Sequence, residues 1–104
     1  MKALFEKDAT AELRLKFFKT EFMLDYRIAN LKALQISCWD GITMGGGVGI
    51  SGFAPFIIAT EKTVFAMPEV KIGFYTDVGF SYMLSRIRDN IGFYLGLTGA
   101  SLKG

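Results

Sequence analysis

The chain has no histidine among its 104 residues. That absence removes the Ser-His-Asp and Cys-His arrangements and every His-ligated zinc site. Its single cysteine, Cys38, can form neither an internal disulfide nor a Cys-only zinc site, so nothing points to a stapled, secreted scaffold. An excess of one charge is lacking too. Twelve Lys and Arg face ten Asp and Glu, a formal net charge of +2, which gives no basic field for nucleic acid or an anionic membrane. Chemistry is left to carboxylates, hydroxyls, Lys, Tyr, Cys38 and the backbone.

What is present is apolar. Hydrophobic residues make up 51% of the chain and charged residues 21%, with ten Phe, which supports a core and excludes a disordered tail. The length corresponds to one domain at most, or part of one. The start, Met1 to Glu12, mixes Lys, Glu and Asp without an apolar run, unlike a signal peptide, and its acidic residues argue against a transit peptide. The uncharged run from Gly41 to Thr60 is long enough to cross a bilayer. It holds six glycines and Pro55, which weaken helix formation and insertion, so no membrane span is expected.

Periodicity predicts a helix from about Ala11 to Leu31, capped by Thr10, with Leu13, Phe17, Leu24, Ile28 and Leu31 on one face. Glu21 interrupts that stripe, either as a carboxylate at its edge or as a functional group. A strand follows from Leu34 to Trp39, in which Cys38 reads as a small buried hydrophobe. Further strands are expected at Phe56 to Ala59 and Thr63 to Met67, the latter ended by Pro68. Helices are expected at about Val48 to Phe53, Val78 to Arg86 and Asn90 to Leu97, the last stopped by Gly99.

Gly45-Gly46-Gly47 lets the backbone approach a bound group and turn its N–H groups outward. The fitting ligands are a phosphate or a carbonyl oxygen that becomes negative during reaction. No P-loop sequence is present. Gly47, Gly49 and Gly52 match G-x-G-x-x-G, with Glu69 about twenty residues past Gly49. In a dinucleotide site, however, the strand runs directly into the first glycine, and here Gly41 to Gly45 intervene. An oxyanion hole is the preferred functional reading, and a close packing contact the structural one. Glu69 and Asp77 lie in apolar sequence, where burial would make them usable as acid or base near neutrality. Asp77 also suits a helix N-cap.

Asp40-Gly41-Ile42-Thr43-Met44-Gly45-Gly46-Gly47-Val48-Gly49-Ile50-Ser51, followed by Ala59-Thr60-Glu61-Lys62-Thr63-Val64-Phe65-Ala66-Met67-Pro68-Glu69, resembles the crotonase (enoyl-CoA hydratase/isomerase) superfamily. Within it the pattern is most similar to the 3-hydroxyisobutyryl-CoA hydrolases. Ile72-Gly73-Phe74, Asp77-Val78-Gly79, Ser81-Tyr82, Leu97-Thr98-Gly99-Ala100 and the early Phe17-Phe18 with Glu21 continue it over nearly the whole chain.

The resemblance implies an α/β fold of repeated ββα units, with residues 1–104 forming the central part of one domain whose ends are missing. It implies a thioester hydrolase acting on a branched 3-hydroxyacyl-CoA of valine breakdown. No cofactor is needed, since CoA belongs to the substrate. By position, Gly46 supplies an oxyanion N–H, Glu69 is the catalytic carboxylate, Asp77 contacts the 3-hydroxyl end, and Glu21 lines the acyl pocket. Alternatives are an enoyl-CoA hydratase or isomerase, or a non-catalytic truncated paralogue serving as a packing element. A hydratase of this superfamily carries a second glutamate where this chain has Gly49. The resemblance also places the protein in the mitochondrial matrix if eukaryotic and in the cytoplasm otherwise.

The chain departs from the branch at several points. Ala33 and Thr76 replace prolines, Gly52 to Ile58 replaces a stretch with His and Arg, and Phe80 replaces a glycine, adding bulk expected to narrow the acyl pocket. The family's Gly-Gly-Asp segment, with the second oxyanion N–H, falls just before the match to Lys2-Ala3-Leu4. Residues 1–104 alone are therefore expected to fold marginally, expose Phe and Ile, tend to associate, and lack activity.

Overall fold

The computed structural model describes residues 10–104. The stretch before Thr10, including Lys2-Ala3-Leu4, lies outside the described residues. The chain runs through α1 (Ala11–Ala29), β1 (Ile36–Trp39), β2 (Ile42–Met44), α2 (Gly46–Ser51), β3 (Phe56–Ala59) and β4 (Val64–Ala66). A 3₁₀ turn (Glu69–Ile72), α3 (Phe80–Leu84), a second 3₁₀ turn (Arg88–Asn90), α4 (Ile91–Thr98) and β5 (Ser101–Lys103) complete it.

Two strands and a helical segment recur. β1, β2 and α2 form one unit, and β3, β4 and the Glu69–Ile72 turn form the next. The units stack strand on matching strand. β1 pairs in parallel with β3, Cys38 opposite Ile58, while β2 pairs in parallel with β4, Thr43 opposite Phe65. β5 closes the second sheet antiparallel to β4. Among the described residues no helix is long and apolar enough to cross a membrane.

The core is built from Val48, Phe65, Met67, Val78, Phe80, Leu84 and Leu95, with the Trp39 ring stacked on Phe65 at 5.6 Å. Burying each large side chain contributes about 1.5–3 kcal/mol. Two expectations fail here. Leu13, Leu24 and Leu31 are about half exposed or more, whereas Phe17, Phe18, Glu21, Asp25 and Ile28 turn inward. The inward face of α1 follows the i, i+4 row through Glu21 and Asp25, because its neighbour α2 is a glycine helix that leaves room for carboxylates. Cys38 is exposed, and the opposite side of β1 faces inward.

That inward side explains how α2 is held. Gln35 Nε2 donates to the Ile50 carbonyl at 2.9 Å and Ser37 Oγ to the Ser51 carbonyl at 2.8 Å. Trp39 Nε1 donates to Ser51 Oγ at 2.9 Å, and that hydroxyl donates to the Gly47 carbonyl at 2.6 Å. Gln35, just before β1, and Ser37 within it thus satisfy carbonyls that a short helix leaves open. They seat α2 so that its glycine end points back toward α1.

Candidate active site

β2 delivers the chain straight into the glycine loop, so the five-residue gap expected before Gly46 is a strand instead. The dinucleotide reading still fails, on other grounds: Gly47 and Gly49 lie inside α2 and Gly52 at its end, with no strand-to-turn junction at the first of them. Gly45 has φ +50°, a conformation that favours glycine, and its carbonyl accepts from Val48 N at 2.9 Å and Gly49 N at 3.1 Å. The Gly46 and Gly47 N–H groups have no backbone acceptor among the described residues.

Three carboxylates rest against this loop. A Cβ on Gly45 would lie 3.1 Å from Glu69 Oε1, and one on Gly46 would lie 3.0 Å from Glu21 Oε1. A Cβ on Gly49 would lie 2.9 Å from Asp25 Oδ1 and 2.6 Å from Val78 Cβ. The glycines are therefore the room into which side chains from α1, the 3₁₀ turn and the Asp77–Gly79 turn are packed.

Glu69 opens its 3₁₀ turn directly after Pro68 and is 6% exposed, with Oε2 unpartnered. Asp77 does not act as a side-chain N-cap. Gly79 occupies the cap of α3, and only the backbone carbonyl of Asp77 accepts from Phe80 N, at 2.8 Å. Beside it Val78 is buried at φ +47°, strained for a β-branched residue and held there by its contact with Gly49. Asp25, which hydrophobic periodicity passes over, is 5% exposed with neither oxygen hydrogen-bonded. Its signal was available: it stands one helical turn after Glu21.

Burial raises all four carboxylates above their ordinary values. Asp77 adds to the rise at Glu21, Asp25 and Glu69, and Asp25 adds to that at Glu21. At Glu69 and Asp77 a hydrogen bond from the residue's own backbone N–H partly opposes burial. A carboxyl raised in the folded state contributes stability that is complete below its unfolded pKa and lost as pH climbs through the folded one. Acidification from neutrality to about pH 5 is thus expected to raise the melting temperature. Circular dichroism melts across that step check it, and a steady fall would contradict the clustering.

A cavity of about 410 Å³ opens beside the cluster, walled by Phe22, Tyr26, Phe53 and Tyr75 with Asp25, Asp77 and Ser81. Asp77 belongs both to this wall and to the electrostatic surroundings of Glu69. Glu21, Gly46 and Glu69 do not line it. Phe80 does not narrow it either. Its ring lies in the core, 6.0 Å from Phe65 and 5.8 Å from Phe53, over Gly52, whose missing side chain leaves it space.

The enoyl-CoA hydratase/isomerase sequence profile matches residues 1–104. The chain belongs to the enoyl-CoA hydratase/isomerase family. Over 99 residues it is 48% identical to the mitochondrial 3-hydroxyisobutyryl-CoA hydrolase of Dictyostelium discoideum, covering 95% of this chain and 26% of that protein. Over 88 residues it is 56% identical to small ribosomal subunit protein mS47 of Neurospora crassa, covering 85% of this chain and 17% of that protein. A crystal structure of a carnitinyl-CoA dehydratase from Mycobacterium thermoresistibile superposes with TM-score 0.87 at 40% identity, over 92% of this chain and 28% of that one. The fold is crotonase-type, and the chain spans about a quarter or less of the length of these curated relatives. For an enoyl-CoA hydratase/isomerase family member, the closed space at Gly49 has a consequence. Val78 and Asp25 occupy the place of any side chain there, so α2 has no room for a second glutamate.

Proposed function

We propose that the protein is an acyl-CoA thioester hydrolase of the 3-hydroxyisobutyryl-CoA hydrolase type. The observation that supports this reading is that Glu69 stands buried at the glycine loop with Oε2 unpartnered, while the Gly49 position has no room for a glutamate. A single carboxylate serves hydrolysis, whereas the family's addition of water to a double bond employs two. Glu69 takes a proton from water as the water oxygen bonds to the thioester carbonyl carbon. Alternatively, Glu69 bonds to that carbon itself, and water then hydrolyses the resulting anhydride. On either route the C–S bond breaks, the sulfur leaves with the bonding pair and is protonated, and one water yields the free acid and CoA. The Gly46 N–H donates to the carbonyl oxygen as it gains charge, which stabilises the transition state. Asp77 accepts from the hydroxyl at the acyl end, and Glu21 packs against Gly46 and fixes the loop. The mitochondrial hydrolase of Dictyostelium discoideum supports a mitochondrial location.

The test uses the gene product that contains this chain. It should release thiol from 3-hydroxyisobutyryl-CoA and hydrate crotonyl-CoA poorly. Fast hydration without thiol release would overturn the assignment.

The 56% identity to a small ribosomal subunit protein favours a second reading, a non-catalytic assembly subunit on the same scaffold. Co-sedimentation with small ribosomal subunits, with no thiol release, would select it.

A further inference from the structure

We propose that Val78 is a positioning residue, whose buried side chain fixes the backbone turn that aims the Asp77 carboxyl at the acyl end of the substrate. The proposal rests on the role given to Asp77 above and names what holds that carboxyl in place. Phe80 N donates to the Asp77 carbonyl at 2.8 Å, and the two residues between them, Val78 and Gly79, have φ +47° and +76°. Two left-handed central residues closed by that bond form a type I′ turn. Glycine, asparagine and aspartate suit its first central position, whereas a β-branched side chain is an outlier there. A left-handed valine persists only where its surroundings over-determine it.

Those surroundings are two clamps. Val78 belongs to the buried core, and its Cβ lies 2.6 Å from the place where a Gly49 side chain would begin. On the other side, a Cβ on Gly79 would lie 2.8 Å from Phe53 Cζ. The turn is therefore held between α2 and the Phe53 ring. A glycine at position 78 would fit the turn without strain and would remove the first clamp. Asp77 depends on that clamp, because its carboxyl takes a hydrogen bond from its own backbone N–H. The salt bridge among the described residues lies elsewhere, between Lys62 and Asp40. The direction of the carboxyl thus follows the backbone of the turn. Asp77 is half-buried and lines the 410 Å³ cavity together with Val78 and Gly79. A turn released from α2 would carry Asp77 with it, and a misplacement of about 1 Å can cost on the order of 10²-fold in rate.

The experiment compares 3-hydroxyisobutyryl-CoA with isobutyryl-CoA in the gene product that contains this chain. Val78→Gly should lower the kcat/KM preference for the hydroxylated thioester by about 10–100-fold. The cavity wall also carries the hydroxyls of Tyr26, Tyr75, Ser81 and Tyr82, so the preference alone does not single out Asp77. A double variant does. In an Asp77→Asn background Val78→Gly should change the preference by less than about twofold, since both substitutions remove the same interaction. Leu95→Ala, a truncation elsewhere in the same core, should leave the preference as it is. Should Val78→Gly fail to fold, Val78→Ala decides, because it too withdraws the branched side chain from Gly49. An unchanged preference in the Val78 variant, independent effects of Val78 and Asp77, or an equal loss in Leu95→Ala each overturn the proposal. An Asp77→Asn enzyme with the wild-type preference also overturns it, while leaving thioester hydrolysis intact. If the wild type releases thiol from neither thioester, the hydrolase reading fails by itself. Calorimetric binding of the same two thioesters then judges Val78 by the same pattern, and equal binding of both overturns its role.

Discussion

Glu69→Gln should lower thiol release by about 10²–10⁴-fold, the range expected for losing a positioned acid or base. The substitution keeps shape and removes only the ionisable group. Residues 1–104 themselves offer no histidine as a substitute base. The variant should fold at least as well as the wild type at pH 7, because it removes a buried carboxylate with an unpartnered oxygen. Loss of turnover with retained stability separates catalysis from packing. The acid limb of kcat/KM should lie above the ordinary glutamate value of 4.5, since burial and then Asp77 raise Glu69 and the reaction uses its ionised form. A Glu69→Gln enzyme with near wild-type turnover would remove Glu69 from the mechanism.

Gly92→Ala should destabilise the fold strongly, by about 3 kcal/mol. A Cβ at Gly92 would fall on the Leu84 carbonyl, a backbone group at the end of α3 that cannot rotate aside. Helix propensity works in the opposite direction, favouring Ala by about 1 kcal/mol, and is outweighed. The affected contact is the α3–α4 packing around Leu84 and Leu95, and that layer supports the Asp77–Gly79 turn. Gly47→Ala is the control. Nothing lies within 4 Å of a Cβ there, so it should stabilise α2 by up to about 1 kcal/mol. Denaturant melts of the two variants measure the difference, and equal midpoints would show that α4 shifts to admit the methyl group.

Much of the site was legible from residue order. Thr10 caps α1 and accepts from Leu13 N at 3.2 Å through its hydroxyl, and Gly99, lacking a Cβ, ends α4 in the left-handed conformation. Glu69 after Met67-Pro68 and the glycine triplet stood out because such residues rarely sit together in apolar sequence without a reason. Short elements escaped. β2, β5 and the Glu69–Ile72 turn span three or four residues each, too few to show a period.

What residue order determined by itself was the family, the α/β alternation and the absence of histidine chemistry. Tertiary structure alone decided which face of α1 is inside. Periodicity ranks leucine over carboxylate and chose Leu13, Leu24 and Leu31 beside Phe17 and Ile28, of which only Phe17 and Ile28 turn inward. The inward row instead holds Glu21 and Asp25, because their neighbours are glycines more than twenty residues away, with space where side chains would be. The same distance in sequence hid the four-carboxylate cluster, since mutual repulsion and shared burial exist only once α1, α2 and the Asp77 turn are packed together.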